Sequence, residues 1–206
     1  MEGIVGGLLE LTGSPWFLPA LFVLVVGDAL VPLLPSEAVV AALGALSPRP
    51  GAPALWAVVP IAAAGAIAGD SLLYGVGRVL RWRDPTWLHR PWANRAVGWV
   101  GRGLERRPAV LIITARYLPG GRQFVNLTAG ATGFAYRRFL VLSAIAGATW
   151  GAYNALIGFV LGSWLNDQPL LAVGLSVGAA VGLGFAVDGL RALRRRRRAR
   201  RPPSAD

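Results

Sequence analysis

The chain has no cysteine and no lysine, and it has a single histidine, His89. Without cysteine there can be no disulfide bonds, no thiolate metal sites and no cysteine nucleophile. One histidine excludes histidine-rich metal clusters and most histidine-dependent catalytic triads. Any chemistry must therefore rest on carboxylates, arginines and hydroxyls.

Apolar residues, in contrast, are abundant. Hydrophobic residues make up 54% of the 206 positions, charged residues make up 15%, and the mean hydropathy is +0.52. Soluble domains carry about 25% charged residues, so this composition indicates a polytopic membrane protein. At roughly 20 residues per crossing, the length allows about four to six passages through a membrane.

The apolar segments are of two kinds, continuous and broken. Continuous runs predict spanning helices over residues 55–78, 139–165 and 169–190. Two further runs, 16–46 and 109–133, are interrupted by proline and charged residues. A bilayer tolerates broken backbone only where protein or water covers it, so we expect both runs to enter the membrane and return. A simple crossing by residues 16–34, with Asp28 reaching an interface, stays open as an alternative.

The distribution of arginine predicts the orientation. All 21 basic residues are arginine, and most of them lie in residues 78–107 and in the tail at 191–206. Because positively charged loops stay in the cytoplasm, we expect residues 79–107 to be an interfacial cytoplasmic segment and the carboxyl terminus to be cytoplasmic. The tail is expected to attract anionic lipid headgroups, and nucleic acid is not an expected partner.

The order of the segments indicates a weak internal repeat. A broken, polar-centred hairpin followed by a spanning helix occurs twice, and the two hairpins are expected to enter from opposite faces. Such opposed insertions are typical of inverted-repeat transporters, whose hairpin tips meet near the midplane and form the substrate site. The predicted fold is an all-α polytopic membrane protein with two opposed re-entrant helical hairpins and three to four spanning helices. Residues 1–190 form its single domain.

The charged residues inside the broken hairpins are the main functional candidates: Asp28, Glu37, Arg116 and Arg122. A charge at the bilayer centre costs about 2.5–3.5 kcal/mol on insertion scales, so it persists only if it is paired, hydrated or functional. One explanation is ion pairs across the hairpins that hold the fold. The other is a hydrated cavity where arginines bind phosphate oxygens and a carboxylate carries a proton. Asp70, in a glycine-rich helix, and Asn126 are secondary candidates.

Four motifs in this order resemble the DedA family, also called SNARE-associated Golgi or VTT-domain proteins: GDALVPLLPSE, GAIAGDSLLYGVGR, ARYLPGGRQFVNLTAG and FLVLSAIAGATW. The resemblance implies two opposed re-entrant loops and a role in lipid translocation. It also implies that Asp28 and Glu37 couple protons and that Arg116 and Arg122 bind substrate. Bacterial members are linked to the return of undecaprenyl phosphate and to proton-dependent homeostasis, and eukaryotic relatives to phospholipid scrambling.

Three departures from the family pattern leave the lipid open: aspartate at Asp28 where glutamate is common, Ser36 where glycine often precedes the second acid, and Asn126 where proline is common. We expect a transporter that flips or scrambles a phosphate-bearing lipid such as undecaprenyl phosphate or a phospholipid, with a proton gradient as the candidate driving force. The expectation includes no cofactor, no metal and no enzymatic activity. The alternative is a non-transporting scaffold or assembly factor for envelope homeostasis.

The exclusive use of arginine hints at a GC-rich bacterial genome, which favours the bacterial plasma membrane as the location. The expected partners are membrane lipids. Whether the chain forms a homo-oligomer stays open at this point.

Overall fold

The computed structural model describes residues 12–31, 34–48, 52–83, 91–118, 120–164 and 175. All regular secondary structure in these ranges is helical. The helices are α1 (Phe17–Leu30), α2 (Ser36–Leu46), α3 (Leu55–Arg83), α4 (Pro91–Arg106), α5 (Pro108–Ala115), α6 (Gly121–Thr132) and α7 (Tyr136–Trp164). The predicted span at 169–190, apart from Leu175, and the tail at 191–206 lie outside the described residues.

Helix length separates the two kinds of segment. Helices α3 and α7 have 29 residues each and are apolar enough to cross a membrane. At about 1.5 Å per residue each is roughly 44 Å long, more than the hydrocarbon core of about 30 Å. Helices α1, α2, α5 and α6 have 14, 11, 8 and 12 residues and are too short to cross alone. Helix α1 ends at Leu30, before the end of the simple crossing over residues 16–34 that the sequence leaves open. Re-entry and a simple crossing of this segment both stay predictions.

The breaks have local causes in the sequence. Helix α1 ends before Val31, whose backbone is extended (φ −120°, ψ 99°), and Pro32 follows it. A residue before proline is disfavoured in the helical region because its backbone clashes with the proline ring. In the other broken segment, Gly120 precedes α6 with φ +69°, a left-handed conformation that glycine adopts without steric cost.

The two halves of the chain pack in the same pattern. Helix α1 packs on α3 and α5 packs on α7, within each half. Helix α2 packs mainly on α7 and α6 packs mainly on α3, across the halves, and the two long helices also pack on each other. The second helix of each broken segment therefore lies against the long helix of the other half, so the halves interlock.

The closest contacts between the halves repeat residue by residue. In both cross-half pairs, a glycine on the short helix and a glycine on the long helix each lie against a backbone carbonyl of the partner: Gly44 with Ala155, Gly158 with Ala41, Gly130 with Tyr74, and Gly77 with Leu127. The long-helix positions 74 and 77 are 81 residues before 155 and 158, and the short-helix positions 41 and 44 are 86 residues before 127 and 130. The glycine contacts of the described helices therefore repeat between the two halves.

The same shift identifies the centre of this repeat. Adding 81 to position 66 gives position 147, and Ala66 of α3 lies against Gly147 of α7 where the long helices meet. Exchanging the two halves by this shift exchanges Ala66 and Gly147, so their contact is unchanged. It therefore lies at the centre of the repeat. The central contact is thus between two small residues, which lets the long helices approach closely.

Helix α4 has an apolar and a basic face. Val100 and Leu104 are buried with residues of α5, α6 and α7, whereas Arg95, Trp99 and Arg102 are exposed. A basic helix with an exposed tryptophan is typical of a segment that lies along a membrane surface. This pattern agrees with the prediction of an interfacial segment at 79–107, whose placement on a membrane stays a prediction.

Candidate functional site

A polar cluster interrupts the apolar interior of the bundle. Along α3, Asp70 lies between Ala66 of one apolar cluster and Tyr74 of the other. Along α7, Ser143 lies between the same two clusters. The long helices therefore place buried polar side chains between the two apolar clusters. Charged residues next to the breaks of the two broken segments, Asp28, Arg116 and Arg122, lie there too.

The first ion pair joins the two broken segments. Asp28, at the end of α1, accepts a hydrogen bond on Oδ2 from Arg122 Nη2 at 2.8 Å. The same oxygen accepts a hydrogen bond from Ser36 Oγ at 2.8 Å. Ser36 is fully buried at the start of α2, so this hydrogen bond to the carboxylate replaces hydrogen bonds of its hydroxyl to water. Asp28 thus links α1, α2 and α6.

The second ion pair is centred on Asp70, which the sequence ranked only as a secondary candidate. Its Oδ2 accepts hydrogen bonds from Arg116 Nη1 at 3.0 Å and from Ser143 Oγ at 2.7 Å. Its Oδ1 accepts a hydrogen bond from Asn126 Nδ2 at 2.9 Å. Three donors compensate the loss of water around a buried carboxylate. Asp70 therefore ties α3 to α6, α7 and the end of α5.

Both ion pairs join the two halves of the repeat. The carboxylates Asp28 and Asp70 belong to the first half, and the guanidiniums of Arg116 and Arg122 belong to the second. Breaking a buried pair by removing one partner costs about 3–5 kcal/mol, because an uncompensated charge stays behind. If the two halves separate at these ion pairs, the four charged groups need new partners.

Arg116 is only partly satisfied in this arrangement. Its side chain is 2% exposed, and its guanidinium lies over the Trp150 ring, 4.9 Å from the ring centroid. Nη1 binds Asp70, but Nε and Nη2 have no hydrogen-bond partner among the described residues. Nε–H and Nη2–H point the same way from one edge of the guanidinium, so this edge can hold two oxygens of one oxyanion.

Glu37 differs from the other two carboxylates because it is exposed. It lies in the first turn of α2 and forms no ion pair within the described part of the chain. The charges of Asp28, Arg122 and Arg116 act electrostatically on its carboxylate, and its chain neighbour Ser36 binds Asp28. The four candidates from the broken hairpins thus lie in one cluster, although their roles in binding and proton coupling stay predictions.

Several residues of the site were missed from the sequence. They are the two serines that bind the carboxylates, the tryptophan over Arg116 and one tyrosine on which the charge of Glu37 acts: Ser36, Ser143, Trp150 and Tyr153. Single hydroxyls and aromatics are common in apolar helices, so no local signal marks them. Among the described residues, no group of three or more acidic or histidine side chains could hold a metal ion.

The fold and the site define a helical membrane protein with interlocked halves and a charged centre, and comparison with known proteins gives its family. The family model of the VTT domain matches residues 34–160, which is more than half of the chain. The chain therefore belongs to the VTT-domain family, that is, to the DedA family, and the resemblance of the four motifs is confirmed.

The curated relatives are mycobacterial. A protein of Mycobacterium tuberculosis strain H37Rv is 30% identical over 154 residues, which cover 71% of this chain and 66% of the relative. A protein of Mycobacterium leprae is 27% identical over 153 residues, which cover 71% of this chain and 67% of the relative. Both are described as uncharacterized membrane proteins. The match thus spans just under two thirds of the Mycobacterium tuberculosis protein, and no solved structure matches the chain.

Proposed function

We propose that this membrane protein moves a phosphate-bearing lipid, such as undecaprenyl phosphate or a phospholipid, between the two leaflets of a bacterial plasma membrane, with protons as the coupling ion. The observation that carries the proposal is the pair of buried arginines at the junction of the two halves. In one of them, Arg116, two guanidinium nitrogens have no hydrogen-bond partner among the described residues. Family membership and the internal repeat support it, because transporters are often built from paired repeats that move against each other.

In this mechanism the lipid phosphate takes the place of a carboxylate as the partner of the arginines. Planar guanidiniums bind phosphate through two parallel hydrogen bonds, so Arg116 and Arg122 hold the headgroup while the hydrocarbon chain stays in the bilayer. Glu37, assisted by Asp28, exchanges a proton as the site changes faces. Exposed Glu37 is the carboxylate best placed to reach protons, because Asp28 is buried against Arg122 and Ser36.

A scaffold or assembly factor is the second candidate, and a specific observation favours it. Both arginines already have carboxylate partners within the chain, as expected of charges that only hold a fold together. In that case the polar cluster fixes how the halves pack and no lipid enters it. We propose no enzymatic activity and no cofactor for either candidate.

Reconstitution into vesicles separates the two candidates. Purified protein in liposomes is expected to speed the transbilayer movement of a fluorescent phosphatidylglycerol or of undecaprenyl phosphate, and an imposed pH gradient is expected to change the rate. Dithionite quenching reports the first lipid, and accessibility to an added phosphatase reports the second. Vesicles with an unrelated membrane protein at equal density are the control. If neither lipid moves faster than in the control vesicles, the scaffold is the better description.

The orientation can be tested separately, because the chain has no native cysteine. Arg95→Cys on the exposed face of α4 is expected to react with an impermeant maleimide only after the cells are opened, since arginine-rich segments stay cytoplasmic. Ala52→Cys precedes α3, which is expected to cross the membrane and to end on the cytoplasmic side at its arginine-rich end. Position 52 is therefore expected to be external and to react in intact cells. Labelling of position 95 from outside would overturn the predicted topology, and with it the cytoplasmic carboxyl terminus.

A further inference from the structure

The outer face of α3 carries an apolar groove. Its volume is about 400 Å³, and the described residues that line it all belong to α3: Ser71, Leu72, Gly75, Val76, Val79 and Leu80. Gly75 deepens the groove, because a methyl group built there would meet no atom of the described residues within 4 Å. Leu72, Val76 and Val79 are each about half exposed. The groove is therefore an open apolar depression of the size of many ligand sites.

The groove lies on the opposite side of α3 from the charged cluster. Asp70, Tyr74 and Gly77 are buried on the packed side of the helix, where Gly77 lies against the backbone of α6. With 3.6 residues per turn, Val79 points about 180° away from Asp70 around the helix axis. A ligand in the groove is therefore separated from the Asp70–Arg116 pair by α3 itself.

Arg78 is the charged residue at the edge of the groove. It is exposed and lies three residues beyond Gly75, a spacing that makes neighbours on a helix surface. Its Nη1 donates a hydrogen bond to Tyr74 Oη at 3.1 Å, and this hydroxyl donates to the carbonyl of Phe134. One nitrogen of the guanidinium is thus held in place beside the groove, and the group has further N–H donors.

The first turn of α7 extends this basic edge. Tyr136 Oη donates a hydrogen bond to Ser71 Oγ at 3.2 Å, so the start of α7 lies beside the groove. Arg137 and Arg138 follow, and both are exposed. Neither residues 71–83 nor α7 contain an aspartate or a glutamate, so no carboxylate of these segments offsets the arginines. This edge of the groove is complementary to an anion.

The length and lining of the groove suit an acyl chain of one leaflet. Ser71 and Leu80 are nine residues apart, which is about 14 Å along the helix axis. One leaflet contributes about 15 Å of the hydrocarbon core. Helix α3 is long and apolar enough to cross a membrane, and its arginine-rich end is expected at the interface. An apolar groove beside a basic edge thus matches the two parts of an anionic lipid.

We propose that this groove binds one anionic lipid of the leaflet at the arginine-rich end of α3. An acyl chain lies along Gly75 and Val79, and the phosphate of the headgroup accepts hydrogen bonds from Arg78. Arg137 and Arg138 add positive charge beside it. The lipid is a resident of the outer surface, away from the charged cluster, so the proposal goes beyond the proposed function and does not depend on it.

Native mass spectrometry of the full chain in a neutral detergent measures this binding without any transport. The probes are dioleoylphosphatidylglycerol and dioleoylphosphatidylcholine, which have the same acyl chains but differ in net charge. The native protein is expected to bind its first phosphatidylglycerol about tenfold more tightly than its first phosphatidylcholine, the effect of one charge-assisted hydrogen bond. Equal affinity for the two lipids would overturn the proposal.

Gly75→Leu tests the groove itself. The larger side chain fills the depression, so binding of both lipids is expected to weaken at least about tenfold, the effect of about two methylene groups that lose their apolar contact. Ala64→Leu is the matched control, because it adds similar bulk at an exposed position of α3 outside the groove. It is expected to bind both lipids as the native protein does. Native affinities in Gly75→Leu would contradict the assignment.

Arg78→Gln tests the headgroup contact. The variant is expected to keep the affinity for phosphatidylcholine and to lose the preference for phosphatidylglycerol, because the acyl groove is intact and the charge is gone. Arg95→Gln, on the exposed face of α4, is expected to keep the preference. A native preference in Arg78→Gln would show that Arg78 does not hold the headgroup. If Arg78→Gln does not fold, Gly75→Leu still decides, because its added side chain enters open space.

Cysteine variants of this cysteine-free chain identify any other occupant. Val76→Cys, on the groove wall, is expected to form no more disulfide-linked dimer on mild oxidation than Val141→Cys, which is exposed on α7. A much higher dimer yield from Val76→Cys would assign the groove to a second copy of the chain. An intramolecular disulfide in the double variant Val76→Cys with Ser176→Cys would assign it to the apolar segment 169–190. Either result would overturn the lipid site.

Discussion

Asp70→Ala is expected to destabilise the protein more than any other single carboxylate substitution. The change leaves Arg116 buried without a counter-ion and removes the acceptors for Asn126 and Ser143. Removing one partner of a buried pair costs about 3–5 kcal/mol, a large fraction of the stability of a typical domain. We expect a much lower melting temperature in detergent and little accumulation in the membrane.

A matched set of variants shows whether the ion pair itself is responsible. Glu105→Ala removes an exposed carboxylate of α4 and is expected to leave the melting temperature nearly unchanged. The double variant Asp70→Asn with Arg116→Gln removes both charges, so it is expected to be more stable than Asp70→Asn alone. A melting temperature for Asp70→Ala within the range of Glu105→Ala would show that Arg116 finds another counter-ion and that Asp70 is not the centre of the cluster.

Gly158→Ala and Gly77→Ala are expected to destabilise the protein by similar amounts. A methyl group at position 158 would overlap the carbonyl of Ala41, and one at position 77 would overlap the carbonyl of Leu127. Because the obstacle in both cases is backbone, the helices must move apart, and overpacking of this kind costs about 1–3 kcal/mol. The two glycines occupy equivalent positions of the internal repeat, which is why the losses should match.

Gly75→Ala is the control, since it lies in α3 beside Gly77 and a methyl group there meets no atom within 4 Å. Alanine is better than glycine in a helix by about 0.5–1 kcal/mol, so this variant is expected to melt at the same temperature as the native protein or higher. Melting of each variant in the same detergent gives the comparison. Equal stability of Gly77→Ala and Gly75→Ala would contradict the close contact of α3 with α6.

The elements of the fold were largely predictable because their signals are local. Proline and glycine placed the breaks near Val31 and Gly120, and long apolar runs placed α3 and α7. The helices extend beyond the predicted spans, to Arg83 at the end of α3 and from Tyr136 at the start of α7. A hydropathy pattern marks the apolar part of a helix, whereas the hydrogen-bonded helix continues into its polar ends.

The partners within the site were less predictable. The sequence suggested ion pairs between the acids and the arginines of the two hairpins, and Asp28 with Arg122 is such a pair. Arg116 instead pairs with Asp70 of a long helix, and Glu37 forms no ion pair within the described residues. The carboxylate that pairs with Arg116 depends on which face of α3 packs against α6. The residue types of Arg116 and Asp70 do not specify that packing.

The sequence by itself determined the class of protein, the breaks, and the set of charged residues that enter an apolar interior, because hydropathy, backbone restriction and the cost of burying charge act over a few residues. The tertiary structure alone decided which charges pair. Within the described part of the chain, it also decided which carboxylate forms no ion pair and which edge of Arg116 has no hydrogen-bond partner. Those outcomes follow from the register of α6 on α3 and of α2 on α7, which close glycine contacts fix over long distances along the chain.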